Sequence, residues 1–444
     1  MTREGVSAFV SWPGAPLTNR LVVSALDHIG LGSSLITQTP TNSSEDKLVQ
    51  WATYDAIDHD LTHQRPSYVL SSSYVFRKAL IRKHYLSRCI HSYLVKHPES
   101  VLSSVAPQTW ELELSFVDEL DDMWADELWD LGEALENEGG KRWFILKPGM
   151  ADRGQGIRLF NSKDALQQIF EGFEEDSCDE DDQAGRDSTA VMTSQLRHFV
   201  IQEYLDTPLL VDPRSTLSPP EVEKLEGHKF HLRVYCVATG AMCLYMYTRI
   251  LALFSSKAYE SPQSGDGNEV ANVDLAPHLT NTSLQANKGE EGVRLLDELV
   301  GLKILSRSGD RTDLSEEHLQ AIHAQMAEAL AETFKAALAT PIHFQPAPNA
   351  FELYGIDFLV SDETPSGAST PYFQVKLLEI NAEPAIELTG PRLTWILEDL
   401  FKSIAEVAVL PFLEPGKTED WAVGETKHHL RKCLDTEVRG AAGW

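Results

Sequence analysis

Three oxygen-bearing side chains lie on two apolar segments near the C-terminal end of the sequence. Glu379 and Asn381 are two residues apart in a strand-like run, so they share one face, because side chains alternate along a strand. Asp357 interrupts an earlier apolar run (354–360), and a linker rich in Ser, Thr, Pro and Gly (361–371) joins the two. The pattern predicts a hairpin, or two neighbouring strands, that directs two carboxylates and one amide to one point. Such oxygen ligands suit Mg²⁺; the alternative is a polar strand end whose carboxylates are simply solvated.

A glycine-rich loop follows a strand-like segment that carries a lysine near its end. The segment 143–148 is apolar apart from Lys147, and the loop 149–156 contains three glycines. Glycines let backbone amides approach phosphate oxygens, and the lysine adds positive charge. The loop is not a Walker A motif, since no Gly-Lys-Ser/Thr follows. Taken alone it also fits an ordinary turn, so its interpretation depends on the residues downstream.

Positive side chains recur on two strand-like segments further along the chain. Lys229, His231 and Arg233 alternate, which puts them on one face of a strand, and Arg249 ends the next strand-like run. A lone cationic strand face is commonly just solvated, but this one accompanies the candidate Mg²⁺ site. The combination indicates a site whose positive side chains neutralise a polyphosphate during phosphoryl transfer. Zinc is disfavoured, because His228 and His231 have no Cys or His at metal-ligand spacing.

The composition restricts the partners and the compartment. The 444 residues, 42% of them hydrophobic, are enough for two or three lobes with a large core. A net charge of −29 disfavours direct binding to nucleic acid or to anionic membranes. No apolar run reaches the roughly 20 residues of a membrane span. The five cysteines lack ligand-type pairing and indicate free thiols in a reducing compartment, so the sequence predicts a cytoplasmic protein.

The pattern of apolar residues predicts a mixed α/β chain with a strand at 230–239 and a helix at 315–338. The predicted parts are an N-terminal α/β domain (1–67), a central lobe (68–198), a C-terminal lobe (199–412) and a polar tail (413–444). The central lobe contains an acidic insertion, 171–195, which has few apolar residues and is predicted to be a disordered loop. Apolar spacing in 111–138 predicts an amphipathic helix with an acidic face, and partner binding is an alternative role for it.

Several segments, taken in order, resemble the tubulin–tyrosine ligase family of the ATP-grasp superfamily. They are 144–157 (FILKPGMADRGQGI), 201–211 (IQEYLDTPLLV), 229–233 (KFHLR), 278–281 (HLTN), 354–358 (YGIDF) and 378–381 (LEIN). The resemblance extends from about residue 68 to residue 410. It implies an α/β (α+β) chain with the ATP-grasp fold, in which a nucleotide lies between two lobes beside a small N-terminal domain.

The resemblance also implies which residues bind the nucleotide and the metal. Lys147 would contact the phosphates of ATP, and Lys229 would contact the nucleotide beside His231. The hinge that bonds the adenine edge would consist of Gln202, Glu203, Tyr204 and Leu205. The ligands of Mg²⁺ would be Asp357, Glu379 and Asn381.

Other matching positions concern the transferred phosphoryl group and the acceptor. Arg233 and Arg249 would face the γ-phosphate and the acceptor carboxylate, and with Glu379 they are the predicted catalytic residues. Thr280 and Asn281 would line the acceptor side of the nucleotide site. An upstream lysine of the family matches either Lys78 or Lys83, and the sequence does not decide between them.

Members of this family activate a carboxylate as an acyl phosphate, which an amino-acid amine then attacks. The resemblance therefore implies an ATP- and Mg²⁺-dependent ligase that adds an amino acid to a protein tail, with tubulin as one candidate acceptor. It names neither the acceptor nor the amino acid that is added.

Two features depart from the family pattern. His231 stands where the family usually has Asp, which changes the local charge by about one unit. Together with 251–254, this segment looks like a fungal branch whose members include a processing-body protein linked to mRNA decapping. The acidic composition also contrasts with the basic groove in which tubulin ligases hold an acidic tail, although the cationic stretch 77–88 could form such a groove locally. Two alternatives stay open: a scaffold that binds mRNA-decapping proteins, and a ligase for a small metabolite.

Overall fold

Three β-sheets form the framework of the computed structural model. The residues that it describes are 5–39, 46–137, 140–149, 156–178, 198–216, 224–263, 273–280, 292–306, 312–368, 370–417 and 421–437. Within these ranges, no helix combines the length and the hydropathy that crossing a bilayer requires.

The N-terminal sheet is parallel throughout. Its strands are β1 (Val6–Ser11), β2 (Leu35–Ile36), β3 (Lys47–Ala52) and β4 (Val69–Ser71), in the order β2-β1-β3-β4. Parallel neighbours need crossover connections, which contain helices α1 (Pro16–His28) and α2 (His59–Gln64). Because β4 pairs with β3, the sheet extends a few residues past the domain boundary predicted at residue 67.

The central lobe is an antiparallel sheet covered by helices on one face. Its strands are β5 (Thr109–Glu113), β6 (Phe144–Pro148), β7 (Arg158–Phe160) and β8 (His198–Glu203), and its helices are α6 (Glu119–Met123), α7 (Trp129–Asn137) and α8 (Lys163–Cys178). Along β6, Phe144 and Leu146 enter the core beneath these helices. Alternation therefore turns Ile145 and Lys147 towards the opposite face.

The third sheet is the largest and carries most of the predicted site. Its strands are β9 (Phe230–Thr239), β10 (Cys243–Tyr247), β11 (Leu251–Phe254), β12 (Val293–Leu295), β13 (Phe351–Asp362), β14 (Phe373–Ala382), β15 (Thr426–Lys427) and β16 (Leu430–Asp435). One edge of β9 pairs with β11 and then with β10, and its other edge pairs with β13. β13 and β14 form a long antiparallel pair at this side of the sheet.

Helices cover both faces of the third sheet. They are α3 (Lys78–Ile81), α4 (Lys83–Lys96), α5 (Leu102–Val105), α9 (Glu316–Leu338), α10 (Thr394–Ile404) and α11 (Leu410–Leu413), with a π-helical turn at Ala405–Val409. α9 packs on one face together with α4 and α5, while α10 packs on the other with α1. The Ser315 side chain caps α9 by accepting a hydrogen bond from the His318 amide at 3.3 Å.

Two predictions within the central lobe are wrong. The segment 111–138 forms β5, α6 and α7 rather than one helix, because apolar residues of both short helices, such as Leu120 and Leu131, enter one core. The acidic insertion is not wholly a loop either. Its first residues complete α8, where Phe173 is buried and stacks on Phe199, and residues 179–195 lie outside the described ranges.

Two predicted divisions near the C-terminal lobe also differ from the structure. β8 belongs to the central sheet, so a boundary after residue 198 cuts through that lobe. The expected polar tail contains β16, which pairs with β10 and buries Leu430 and Leu434. The apolar residues of β16 are few, and the sequence gives no sign of the strand they join. Cys89, Cys236, Cys243 and Cys433 are free thiols, as predicted.

Candidate functional site

Three charged side chains form one row across the third sheet. Arg233 on β9 is opposite Asp357 on β13, and Asp357 is opposite Glu379 on β14. Residues directly opposite in antiparallel strands point to the same face, so the row faces one side. Gly355 makes room for it, since a Cβ there would lie 2.7 Å from Cβ of Pro384 and 3.3 Å from Cδ of Arg233.

The row is held by charge-assisted hydrogen bonds. Arg233 donates to Asp357 through Nε at 2.5 Å and Nη2 at 2.9 Å. Burial acts to lower the pKa of Arg233, but Asp357 more than compensates and raises it above its ordinary value. Asn381 donates from Nδ2 to Glu379 at 3.2 Å and to Asp357 at 3.5 Å. The predicted metal ligands thus lie together, and a turn of the Asn381 amide would present its oxygen instead.

Two lysines approach Glu379. Nζ of Lys83 lies 3.3 Å from Oε2 of Glu379, whereas Lys78 is exposed. Burial acts to raise the pKa of Glu379, but the charges of Lys83 and Lys147 lower it far below its usual range. The geometry therefore favours Lys83 over Lys78 as the upstream lysine of the site.

The opposite wall of the cleft comes from the face of the central sheet that carries Ile145 and Lys147. Lys147 is 9% exposed and donates to Oε1 of Gln202 at 2.7 Å. Gln202 in turn donates to Thr109 at 3.0 Å, which fixes its orientation. Burial lowers the pKa of Lys147 to about 8, although Glu379 acts in the opposite direction. An anion that enters the cleft would restore the charge of this lysine.

Lys229 lies at the end of the cleft beside aromatic side chains. Its Nζ donates to the Tyr204 hydroxyl at 3.1 Å and lies 4.3 Å from the centre of that ring. Burial and the charge of Lys147 lower the pKa of Lys229 to about 7. The Tyr204 hydroxyl also bonds Nδ1 of His278 at 2.9 Å. Burial and the charge of Lys229 lower the pKa of His278 to about 4, so this imidazole is neutral near pH 7.

His231 lies between the row and the acceptor side. Its Nδ1 is 2.5 Å from the Thr280 hydroxyl, and its Nε2 is 3.6 Å from Oδ1 of Asp357. Burial lowers the pKa of His231 despite Asp357. Among the described residues, Nε2 has no hydrogen-bond partner although it is buried, and such groups are uncommon in native proteins.

The cleft between the two sheets is lined by most of the predicted binding residues. They are Lys147, Gln202, Glu203, Tyr204, Leu205, Lys229, His231, Thr280, Asp357 and Glu379. Apolar side chains complete the walls, among them Ile145, Ile157, Leu279 and Leu359. This combination of an apolar slot, buried lysines and a carboxylate row fits a nucleotide with a divalent cation. Lys83, one of the two predicted candidates for the upstream lysine, and His278, for which the sequence predicts no role, belong to the site as well.

Arg249, one of the predicted catalytic residues, lies away from the cleft. It forms an ion pair with Asp399 of α10, and its guanidinium lies 4.5 Å from the centre of the Trp395 ring. It is outside the lining of the cleft because β10 ends at Tyr247, and the connection to β11 turns towards α10. Asn281 lies outside the described residues.

Known proteins resemble this chain over nearly its whole length. The model of the tubulin–tyrosine ligase family matches residues 61–417. A probable tubulin–tyrosine ligase of Schizosaccharomyces pombe is 36% identical over 408 residues, which cover 88% of this chain and 89% of that protein. The probable tubulin–tyrosine ligase PBY1 of Saccharomyces cerevisiae is 35% identical over 411 residues and 89% of this chain. This chain covers 50% of that protein's length.

A solved structure is similar as well. It is the C-terminal domain of K. lactis Pby1, described as an ATP-grasp enzyme that interacts with the mRNA decapping enzyme Dcp2. The TM-score is 0.64 at 28% identity, and the match covers 98% of this chain and 100% of that one. This likeness confirms the fold predicted from the sequence.

Proposed function

Because the chain belongs to the tubulin–tyrosine ligase family, we propose that it is an ATP- and Mg²⁺-dependent ligase that adds an amino acid to a protein tail. The observation that carries this proposal is the meeting of two features in one cleft. Asp357 and Glu379 line the cleft together with buried Lys147, and Arg233 holds Asp357 in place from the neighbouring strand. Opposite charges fixed in a cleft suit phosphoryl transfer, since the protein can then stabilise the spreading charge without reorganising.

In this proposal the acceptor carboxylate attacks the γ-phosphorus of ATP, and the bond to the β-phosphate oxygen breaks to release ADP. The amine of the amino acid then attacks the acyl carbon, an amide bond forms and phosphate leaves. Lys147 and Lys229 bind the phosphates, while Arg233 holds Asp357 in position through its planar fork. Asp357, Glu379 and Asn381 would hold Mg²⁺, which when bound neutralises phosphate oxygens.

The proposal is tested by incubating the purified protein with ATP, Mg²⁺, labelled amino acids and a panel of tail peptides that includes a tubulin tail. We expect ATP-dependent incorporation of one labelled amino acid, with ADP released in equal amount. Calorimetry at millimolar Mg-ATP provides an independent measurement. The absence of both heat and incorporation would contradict the ligase proposal. The free thiols of the chain support a cytoplasmic place for this activity, because disulfides are rare there.

A second candidate function is a nucleotide-binding scaffold that assembles with mRNA-decapping proteins. It is favoured by the likeness to K. lactis Pby1, which is described as interacting with Dcp2. His231 supports it too, because a buried neutral imidazole stands beside Asp357 where the family pattern has an acid. Binding of Mg-ATP and of the decapping enzyme, without amino-acid transfer to any peptide, would favour this function over ligation.

A further inference from the structure

A second cavity, which we call the α4 groove, opens beside the nucleotide cleft. Its volume is about 710 Å³, which lies within the range of roughly 300–1,000 Å³ that is usual for ligand-binding pockets. One wall is the face of helix α4 that carries Leu86, Ile90 and Leu94. The lining also includes the exposed carboxylates Glu127 and Asp130, which we call the rim.

The α4 groove leads directly to the place where phosphoryl transfer would occur. It shares with the nucleotide cleft the residues Lys147, Gln202, Glu203, Leu378 and Glu379. Lys83 and Asn381 line the groove at this junction. A molecule in the α4 groove can therefore reach the end of the polyphosphate without entering the apolar slot.

The charges along the groove do not suit an acidic tail. From the cationic stretch 77–88, Arg82 and Lys83 line the groove. Acids of the fold pair with Lys83 and with two arginines of the stretch that lie outside the lining. Arg77 pairs with Glu352. Lys83 pairs with Glu379 at 3.3 Å and Arg88 with Glu111 at 2.6 Å. With these pairs formed, the α4 wall offers apolar side chains together with the positive charge of Arg82 beside Lys83, while the rim offers negative charge.

We propose that the α4 groove binds the acceptor as an extended carboxyl-terminal segment with apolar side chains next to its carboxylate and a basic side chain upstream. The carboxylate lies at Lys83, the apolar side chains contact Leu86 and Ile90, and the basic side chain pairs with Glu127 or Asp130. Helix α4 rises by roughly 16 Å from Lys83 to Leu94, which is the length of about five extended residues. This acceptor chemistry rests on the proposed ligase function and differs from that of an acidic tubulin-like tail.

Fluorescence anisotropy with two labelled heptapeptides tests the binding step directly. Both end in three apolar residues and a free carboxylate, and their upstream positions carry either Lys or Glu. We expect the Lys peptide to bind at least tenfold more tightly than the Glu peptide. Equal affinities, tighter binding of the Glu peptide, or no binding of either would overturn the proposal.

Two indole substitutions on the same helix locate the site. Ser87 lines the groove, so Ser87→Trp should block the Lys peptide while ATP binding and the melting temperature stay unchanged. Val95 is 72% exposed on another face of α4, and Val95→Trp is the matched control that should bind normally. Unchanged peptide binding by Ser87→Trp would overturn the proposal.

A charge exchange tests the rim. The double variant Glu127→Lys/Asp130→Lys should lose the preference for the Lys peptide and gain affinity for the Glu peptide by tenfold or more. Glu133 lies exposed on neighbouring α7 outside the groove lining, so Glu133→Lys is the control and should keep the wild-type preference. If Glu133→Lys changed the peptide preference as much as the double variant does, the preference would come from general surface charge, and the proposal would be overturned.

The transfer assay separates this inference from the proposed function. Binding of the Lys peptide without ATP-dependent labelling would contradict the ligase function and leave the groove intact. Labelling of the Glu peptide that persists in Ser87→Trp would contradict the groove and leave the ligase function intact.

Discussion

Arg233 and Arg249 occupy contrasting regions of the molecule, although the sequence predicts the same role for both. Arg233 lies within the row on β9, β13 and β14 and forks onto Asp357. Arg249 lies at the corner between β10 and β11, where it pairs with Asp399 and the Trp395 ring. The first arginine holds Asp357, which lines the nucleotide cleft, and the second connects a strand end to helix α10.

The difference shows that an arginine's function depends on what packs against its face of the sheet. Strand alternation gives the face of a side chain, but the neighbouring element decides whether that face becomes a cleft or an interface. A charge in the buried row has been removed from water and needs its partner. A charge at the partly exposed corner remains screened and contributes little.

Removing the arginine of the row should have the largest effect. Arg233→Ala leaves Asp357 buried without its fork, so we expect a loss of about 3–5 kcal/mol in the free energy of unfolding and loss of ATP turnover. Urea unfolding and an ADP-release assay measure these effects. Arg233→Lys is the control that keeps the charge but not the fork, and it should lose less stability. If Arg233→Ala lowered the free energy of unfolding by less than about 1 kcal/mol, the other residues of the row would have rearranged to compensate for the missing arginine.

Removing a carboxylate of the same row should abolish activity while keeping the fold. Glu379→Gln preserves shape but removes the negative charge between Lys83 and Lys147, so Mg²⁺ is held poorly and phosphoryl-transfer charge is left uncompensated. We expect turnover to fall by roughly 100-fold or more, while the protein stays folded with a lower melting temperature, because Lys83 loses its charged partner. Glu363→Gln is a suitable control, because Glu363 pairs with Lys376 near the far end of the same strand pair, outside the cleft lining. Full activity of Glu379→Gln would contradict the metal assignment.

The sequence predicts the row better than its surroundings because its members are encoded locally. Apolar runs indicate strands such as 230–239, which coincides with β9, and alternation then gives the shared face of Glu379 and Asn381. The family resemblance joins these pieces to Lys147 and to the hinge. Each of these inferences uses neighbours within one element or one motif.

What the sequence does not predict depends on contacts between distant segments. His278 meets Tyr204 across 74 positions, and β16 joins β10 from the far end of the chain. Neither pairing has a local signature. Lys78 and Lys83 lie in the same cationic stretch, and only the fold, in which α3 packs on β14, brings Lys83 rather than Lys78 to Glu379. Acids of distant strands, Glu111, Glu352 and Glu379, pair with cations of this stretch, which would otherwise predict a basic groove.

A smaller effect concerns the pH dependence of ATP binding. The pKa of Lys229 is about 7 because of burial and the charge of Lys147, so this lysine is largely neutral above pH 7.5. Bound phosphates favour its protonated form, and binding therefore takes up a proton and weakens as the pH rises. We expect affinity to fall by up to about tenfold per pH unit between pH 7.5 and 9. Calorimetry in buffers of different ionisation enthalpy measures the proton uptake.

The matched variant for this measurement is Lys229→Met, which keeps the length of the side chain without its charge. Its pH profile should be flatter, while Lys147, with a pKa of about 8, retains part of the slope. An unaltered profile would show that Lys229 does not contact the bound phosphates. Weaker binding at lower pH would contradict this prediction, since protonation of the two lysines strengthens their attraction to a polyphosphate.

The arginine at the corner should matter least. Arg249→Ala removes a partly exposed ion pair and the packing of a guanidinium on Trp395, interactions worth on the order of 1 kcal/mol together. Because the side chain lies outside the cleft lining, ATP affinity and turnover should stay within about twofold of the wild type. Asp399→Ala is the matched variant, as it breaks the same ion pair from helix α10 and should cost a similar amount of stability. A fall in turnover for Arg249→Ala that Asp399→Ala does not share would place Arg249 at the acceptor in the working enzyme, and the corner would then have to open towards the cleft during the reaction.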